Sequence, residues 1–174
     1  MNENLWNRCV VFHGHECPGL AIGFRACEAA VKEMNIEFSH DEEIVCVCEN
    51  DFCAVDAVQV ITGCTFGKGN LIYRGTGKMA FSFFNRQNGD NVRIVSKPSK
   101  VKMNKEERQR YILKAPIEDI FCIKKPHFKI PEAARIFKTV TCEKCGEGVS
   151  ENKIRLEDGK KVCLDCFHEY SRGW

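Results

Sequence analysis

Cys142-Glu143-Lys144-Cys145 and Cys163-Leu164-Asp165-Cys166 form a C-x2-C-x17-C-x2-C pattern. The gap falls within the roughly 15–20 residues expected between the halves of a four-cysteine zinc site. Four thiolates in a tetrahedron satisfy Zn²⁺ and leave no open position, so the chemistry expected at Cys142, Cys145, Cys163 and Cys166 is structural. A second constellation is His13-Gly14-His15-Glu16-Cys17-Pro18. Imidazole and thiolate are both ligands for borderline-soft metals. Cys17 also stands where a helix begins, and unpaired N–H groups there favour a thiolate. A third is Cys53 to Cys64, which carries Asp56 among apolar residues. An acid in such a setting needs a partner: a histidine to orient, a ligand, or an arginine.

Other motifs are less specific. Gly63-Cys64-Thr65-Phe66-Gly67-Lys68-Gly69 resembles a phosphate loop but has three residues, not four, before Gly-Lys, and Gly69 in place of Ser or Thr. A plain turn is the simpler reading. Cys46 and Cys48 alternate onto one face of a strand. That suits burial, and a C-x-C metal pair is the alternative. His168 reads as a surface residue, because four thiolates already fill the nearby site.

The elements that must hold these residues alternate between helix and strand. Pro18 opens a helical pattern through about Met34, with Leu20, Phe24, Cys27, Ala30 and Val31 on its apolar face. Residues 44–48 read as a buried strand and 52–61 as a helix. Residues 78–84 and 91–95 read as strands paired around Gln87-Asn88-Gly89-Asp90. A charged helix is expected over 105–114, a strand over 117–123 and a short helix over 131–137. Between the zinc pairs, Asp158-Gly159 marks a hairpin, and residues 164–170 have helical composition. Knuckle, hairpin and final helix resemble a treble-clef zinc finger. The expected fold class is α+β: a mixed helix/sheet core domain over 1–135 and a small treble-clef-like zinc-binding domain over 136–174. About 35 residues bury too little surface to fold without the metal.

The composition is globular, with 44% hydrophobic and 29% charged residues in 174. No run has the roughly 18 apolar residues that a membrane-spanning helix needs. The N-terminus lacks the basic and apolar regions of a signal peptide. A soluble, cytoplasmic protein is therefore expected. In that reducing setting its twelve cysteines point to metal binding, catalysis or burial rather than disulfides. Cys9, Cys27 and Cys122 read as buried. Net charge is +2, but unevenly spread: residues 1–92 hold 7 basic against 12 acidic groups, and 93–139 hold 13 against 5. The basic segment reads as a solvated face or as a surface for an acidic partner, nucleic acid or an anionic substrate. The chain lacks the aromatic–basic interleaving of a nucleic-acid binder, which argues against that partner.

FHGHECPGLAIGFRA (12–26) and CAVDAVQVITGCTFGKGNL (53–71) together resemble the FmdE family of formylmethanofuran dehydrogenase subunits. The C-terminal module resembles the zinc finger that many of its members carry. The resemblance implies an α+β core, a homodimer, and an association with the subunits of a molybdenum or tungsten enzyme of one-carbon metabolism. The motif positions it carries over are His13, His15, Cys17, Cys53, Asp56, Cys64 and Lys68. It implies that the two motifs meet in one pocket, with His15, Cys17 and Cys64 as a three-ligand site for a second metal beside the structural zinc. Asp56 would then orient a histidine, Lys68 would offer charge to an anionic ligand, and His13 and Cys53 would complete a cofactor pocket. A metal-binding accessory protein is the first functional reading, with enzymatic oxidoreductase activity left open. The alternatives are a thiol redox or transfer enzyme using Cys17 and Cys64 with His15 as base, and a zinc-finger module that docks on a protein partner.

Overall fold

The computed structural model describes residues 2–99, 101–170 and 172. The chain divides into two compact units, Met1–Ala134 and Arg135–Trp174.

In the first unit, helices α1 (Glu3–His13) and α2 (Pro18–Met34) lead into strand β1 (Ile44–Cys48), helix α3 (Ala54–Thr62) and strand β2 (Leu71–Tyr73). Strands β3 (Ala80–Asn85) and β4 (Asn91–Ser96), helices α4 (Lys105–Lys114) and α5 (Ile117–Ile120) and strand β5 (Phe121–Lys124) complete it. The five strands form one sheet in the order β2-β1-β3-β4-β5. β1 and β2 are parallel, joined by α3 as the crossover helix, and every other pair is antiparallel. The α+β expectation holds.

The core follows from the period of two along the strands. Cys46 pairs with Phe83 and Cys48 with Phe81, and these pair onward with Val92 and Ile94. This face joins Trp6, Leu20, Phe24, Cys27, Ala57 and Val58 of the helices in one buried cluster. Cys46 and Cys48 are thus buried strand residues, their sulfurs 3.7 Å apart. The opposite face carries Val45, Val47 and Phe84, covered in part by Phe128. Beside them lies the buried ion pair of Glu49 and Arg93, 2.7 Å apart.

α2 has the expected start and stop. Leu20, Phe24, Cys27 and Ala30 are fully buried, whereas Val31 is exposed. α1 is an element that the sequence patterns leave unassigned. Asn2 caps it, accepting from Leu5 N–H, and the chain leaves it at Gly14 in the left-handed conformation.

Two expectations change here. The strand expected over 117–123 begins as the single turn α5. Pro116 accepts from Asp119 N–H, and Glu118 and Asp119 suit the positive end of a helix, so the strand starts only at Phe121. The helix expected over 131–137 is irregular chain. Its backbone is engaged by side chains instead: Arg86 donates to the carbonyls of Pro131 and Glu132, and Ala134 N–H donates to Glu42.

In the second unit, β6 (Thr139–Thr141) pairs with β7 (Gly148–Ser150), and β8 (Arg155–Glu157) pairs with β9 (Lys160–Val162). Asp158 and Gly159 both have positive φ, the geometry of a two-residue hairpin turn. The helix expected after Cys163 is a turn followed by irregular chain through Tyr170. A segment this short does not sustain a helix without packing along it. The finger is therefore two hairpins, each followed or interrupted by a cysteine turn.

Candidate metal centres

The finger sulfurs converge as their spacing requires. In the first knuckle, Cys142 N–H donates to Glu147 and Gly146 N–H donates to Cys142. In the second, Cys166 and Phe167 both donate to Cys163. The sulfurs of Cys142, Cys145, Cys163 and Cys166 all lie within 4.8 Å of one another. Cys145 and Cys163 are 4.0 Å apart, close to the ~3.8 Å edge of a tetrahedron with Zn–S near 2.3 Å. Backbone N–H groups of Cys145 and Cys163 hold the Cys142 thiol down to about 6. Hydrogen bonding with Cys163, with burial, pushes Cys166 up to about 12. Crowded thiols of such opposed tendencies become thiolates together only around a cation. The donor set fits zinc.

The core site is built by three helix ends. His13 closes α1, Cys17 caps α2 and Cys53 stands at the start of α3. The Cys17 thiol accepts from Leu20 N–H at 3.3 Å, the position a serine or aspartate cap would take. One ligand atom each from His13, Cys17 and Cys53 lies within 4.8 Å of the others. Nε2 of His13 is 3.8 Å from Cys17 Sγ, against ~3.6 Å for a nitrogen and a sulfur on one tetrahedral zinc. Nδ1 of His13 is 2.7 Å from Asp56 Oδ2, so the carboxylate and the thiols take opposite sides of one ring. That is the carboxylate–histidine–metal arrangement. Gln59 in turn donates to the other Asp56 oxygen at 3.4 Å. Burial, then hydrogen bonding with Cys17, raises the Cys53 thiol above its ordinary value.

Glycine makes the convergence possible. A Cβ at Gly23 would fall 2.1 Å from the Ala54 carbonyl oxygen, and one at Gly19 would fall 3.1 Å from Cys53 Cβ. The missing side chains let α3 press its first turn onto α2, and this brings Cys53 to Cys17.

The trio His15, Cys17 and Cys64 expected from the family motif is not the trio the structure gathers. Cys64 is the correction with the plainest cause. It follows α3 while Cys53 precedes it, so the helix separates them by roughly 16 Å. Cys64 is fully buried, its thiol donates to the Ile44 carbonyl, and burial pushes it up to about 11. His15 is exposed and lies against the His13 ring, 4.5 Å between centroids, rather than among the thiols. Lys68 donates to the Ser39 carbonyl at 2.6 Å and sits over Phe38, so its charge is spent within the fold. His13 and Cys53 are the residues that lie beside Cys17 instead. The helix expected over 52–61 puts Cys53 and Cys64 at opposite ends, so only one of them can meet Cys17, but it does not say which. Nothing in the sequence separated His13 from His15 without α1.

Comparisons with known proteins match two separate stretches of the chain. A family described as "FmdE, Molybdenum formylmethanofuran dehydrogenase operon" matches residues 12–122. A second, "Prokaryotic dksA/traR C4-type zinc finger", matches residues 135–172. A protein of Archaeoglobus fulgidus named "Probable S-adenosyl-L-methionine-binding protein" is 32% identical across 94% of this chain. The chain spans about half of that relative's length, 52%. A solved structure from Syntrophus aciditrophicus, described as an FmdE-like protein of tungsten formylmethanofuran dehydrogenase, is 26% identical, with a TM-score of 0.72, covering 94% of this chain and 90% of the other. No helix among the described residues is long and apolar enough to cross a membrane. With its core matched over most of its length and two cysteine clusters of metal-binding geometry, the chain belongs to the FmdE family and carries a C4-type zinc finger.

Proposed function

We propose that the core binds a zinc-class ion through His13 Nε2, Cys17 Sγ and Cys53 Sγ, and that the protein is a metal-binding accessory to a molybdenum or tungsten enzyme of one-carbon chemistry. The observation that carries the reading is the His13 ring, with Asp56 on one nitrogen and Cys17 facing the other. Asp56 sets the tautomer that leaves Nε2 free to donate its lone pair, and the Leu20 N–H at the start of α2 holds the Cys17 sulfur in place. Three protein donors leave one position open, where a zinc-class ion supplies Lewis acidity or exchanges a ligand. The family description and the name of the structural neighbour support the enzyme association. In this reading the protein is a cytoplasmic homodimer, and the finger is the element that docks on the partner protein.

The reading based on Cys17 and Cys64 as a redox pair has no geometric support, because α3 holds them apart. Metal analysis of the purified chain tests the first proposal. The wild type should hold about two equivalents. Cys17→Ser keeps a helix-capping oxygen and should retain only the finger's equivalent. Identical metal content in wild type and Cys17→Ser would remove the basis of the core site.

A further inference from the structure

We infer a small-molecule site in the cleft between α1 and α3, for an aromatic or heteroaromatic anion such as a ring carboxylate. The cleft has a volume of about 600 Å³, within the ~300–1,000 Å³ range of ligand pockets. Its lining residue Gln59 donates to Asp56, and it shares no residue with the candidate metal donors.

Its lining is unusual for a helix surface. Asn4, Asn7, Arg8 and Val11 recur at helical spacing on the outward stripe of α1, and Phe12 follows. Such a stripe is ordinarily polar throughout. Here Val11 is 82% exposed and Phe12 57%, and they face Phe38, itself 46% exposed, and Val60. The two phenylalanine rings offer faces and edges to a flat apolar body.

The polar groups are few and available. Arg8 is the one charged residue of the lining, and it makes no ion pair or hydrogen bond among the described residues. Neither do the carboxamides of Asn4 and Asn7. Gln59 uses its amino group on Asp56 and has its oxygen to spare. Apolar walls with one unpaired guanidinium select an aromatic ring that carries a carboxylate, which the guanidinium can grip with two N–H groups. Carboxamides on either side add donors and acceptors for ring heteroatoms. The binding claim stands whether or not the core holds a metal. Where it does, Gln59 links the cleft through Asp56 to His13, so an occupant that takes the Gln59 carboxamide also acts on a metal ligand.

The test is a titration of the full chain, isotope-labelled, with 2-naphthoate, and separately with the uncharged 2-naphthalenemethanol, followed by NMR. Saturable shifts should appear at the Val11 and Val60 methyls and the Gln59 side-chain amide. Arg8→Gln, an exposed change that should leave the spectrum otherwise intact, should weaken naphthoate about tenfold or more and leave the alcohol within about twofold. The proposal fails if no saturable shift appears at these residues. It also fails if the shifts gather instead at Tyr111 and Ile112 on α4, or if Arg8→Gln leaves naphthoate affinity unchanged. Shifts at Val11 and Phe12 that follow protein concentration alone would overturn it too, by showing that a second copy covers the cleft.

Discussion

The two cysteine clusters are made in opposite ways. In the finger, each pair of ligands lies within one turn of chain, and backbone hydrogen bonds of that same turn aim the sulfurs. Only the joining of two short hairpins is left to tertiary structure. In the core, every candidate ligand comes from a different helix end, and each helix is held by packing far from the site. The finger has four thiolates and no open position, whereas the core has two thiols, one imidazole and an oriented carboxylate. A local site of this kind depends on its metal for its fold. A convergent site depends on its fold for its metal.

Removing the metal should separate them most sharply. A strong chelator should unfold residues 135–172, because structural zinc supplies about 10–16 kcal/mol of apparent binding free energy to such modules. The sheet and helices of the first unit should keep their amide dispersion and protease resistance. Simultaneous collapse of both units would break the contrast. Gly23→Ala should act in the reverse sense. Its new Cβ meets the Ala54 backbone at 2.1 Å, so α3 must move. An overpacking cost of about 3 kcal/mol in denaturant unfolding is expected, with loss of core metal and an unchanged finger equivalent. A variant that kept both equivalents would show that the close approach of α2 and α3 does not place Cys53. Asp56→Asn is gentler. It should weaken core metal binding by about 10–100-fold, as loss of an outer carboxylate does, while His15→Ala should change it by less than about twofold. Competition with a chromophoric zinc chelator measures both, and an equal effect of the two would return His15 to the ligand set.

How much could be read from sequence follows the same contrast. The finger's ligands, their count and the Asp158-Gly159 turn were legible, because the interactions that decide them span few residues. Its expected helix was not, since composition over 164–170 does not show whether anything packs against it. In the core, the cap at Cys17, the length of α2 and the face of β1 follow from local rules: a proline at the first turn, a period near four, a period of two. The irregular path of 131–137 was hidden, because Arg86 and Glu42, which engage its backbone, lie more than forty residues away.

By itself the sequence determined that one site is a four-thiolate zinc module and that an α+β core carries two further motifs, His13–Cys17 and Cys53–Cys64, whose meeting was implied only by the family resemblance. Tertiary structure alone decided that His13 rather than His15 turns inward, and that Cys17 meets Cys53 while Cys64 is sealed under β1. The physical reason is that a helix N-cap, a hairpin or a knuckle is an energy minimum of a few neighbouring residues. Which ends of three helices meet depends on the volume left between them, and here that volume is set by the absent side chains of Gly19 and Gly23.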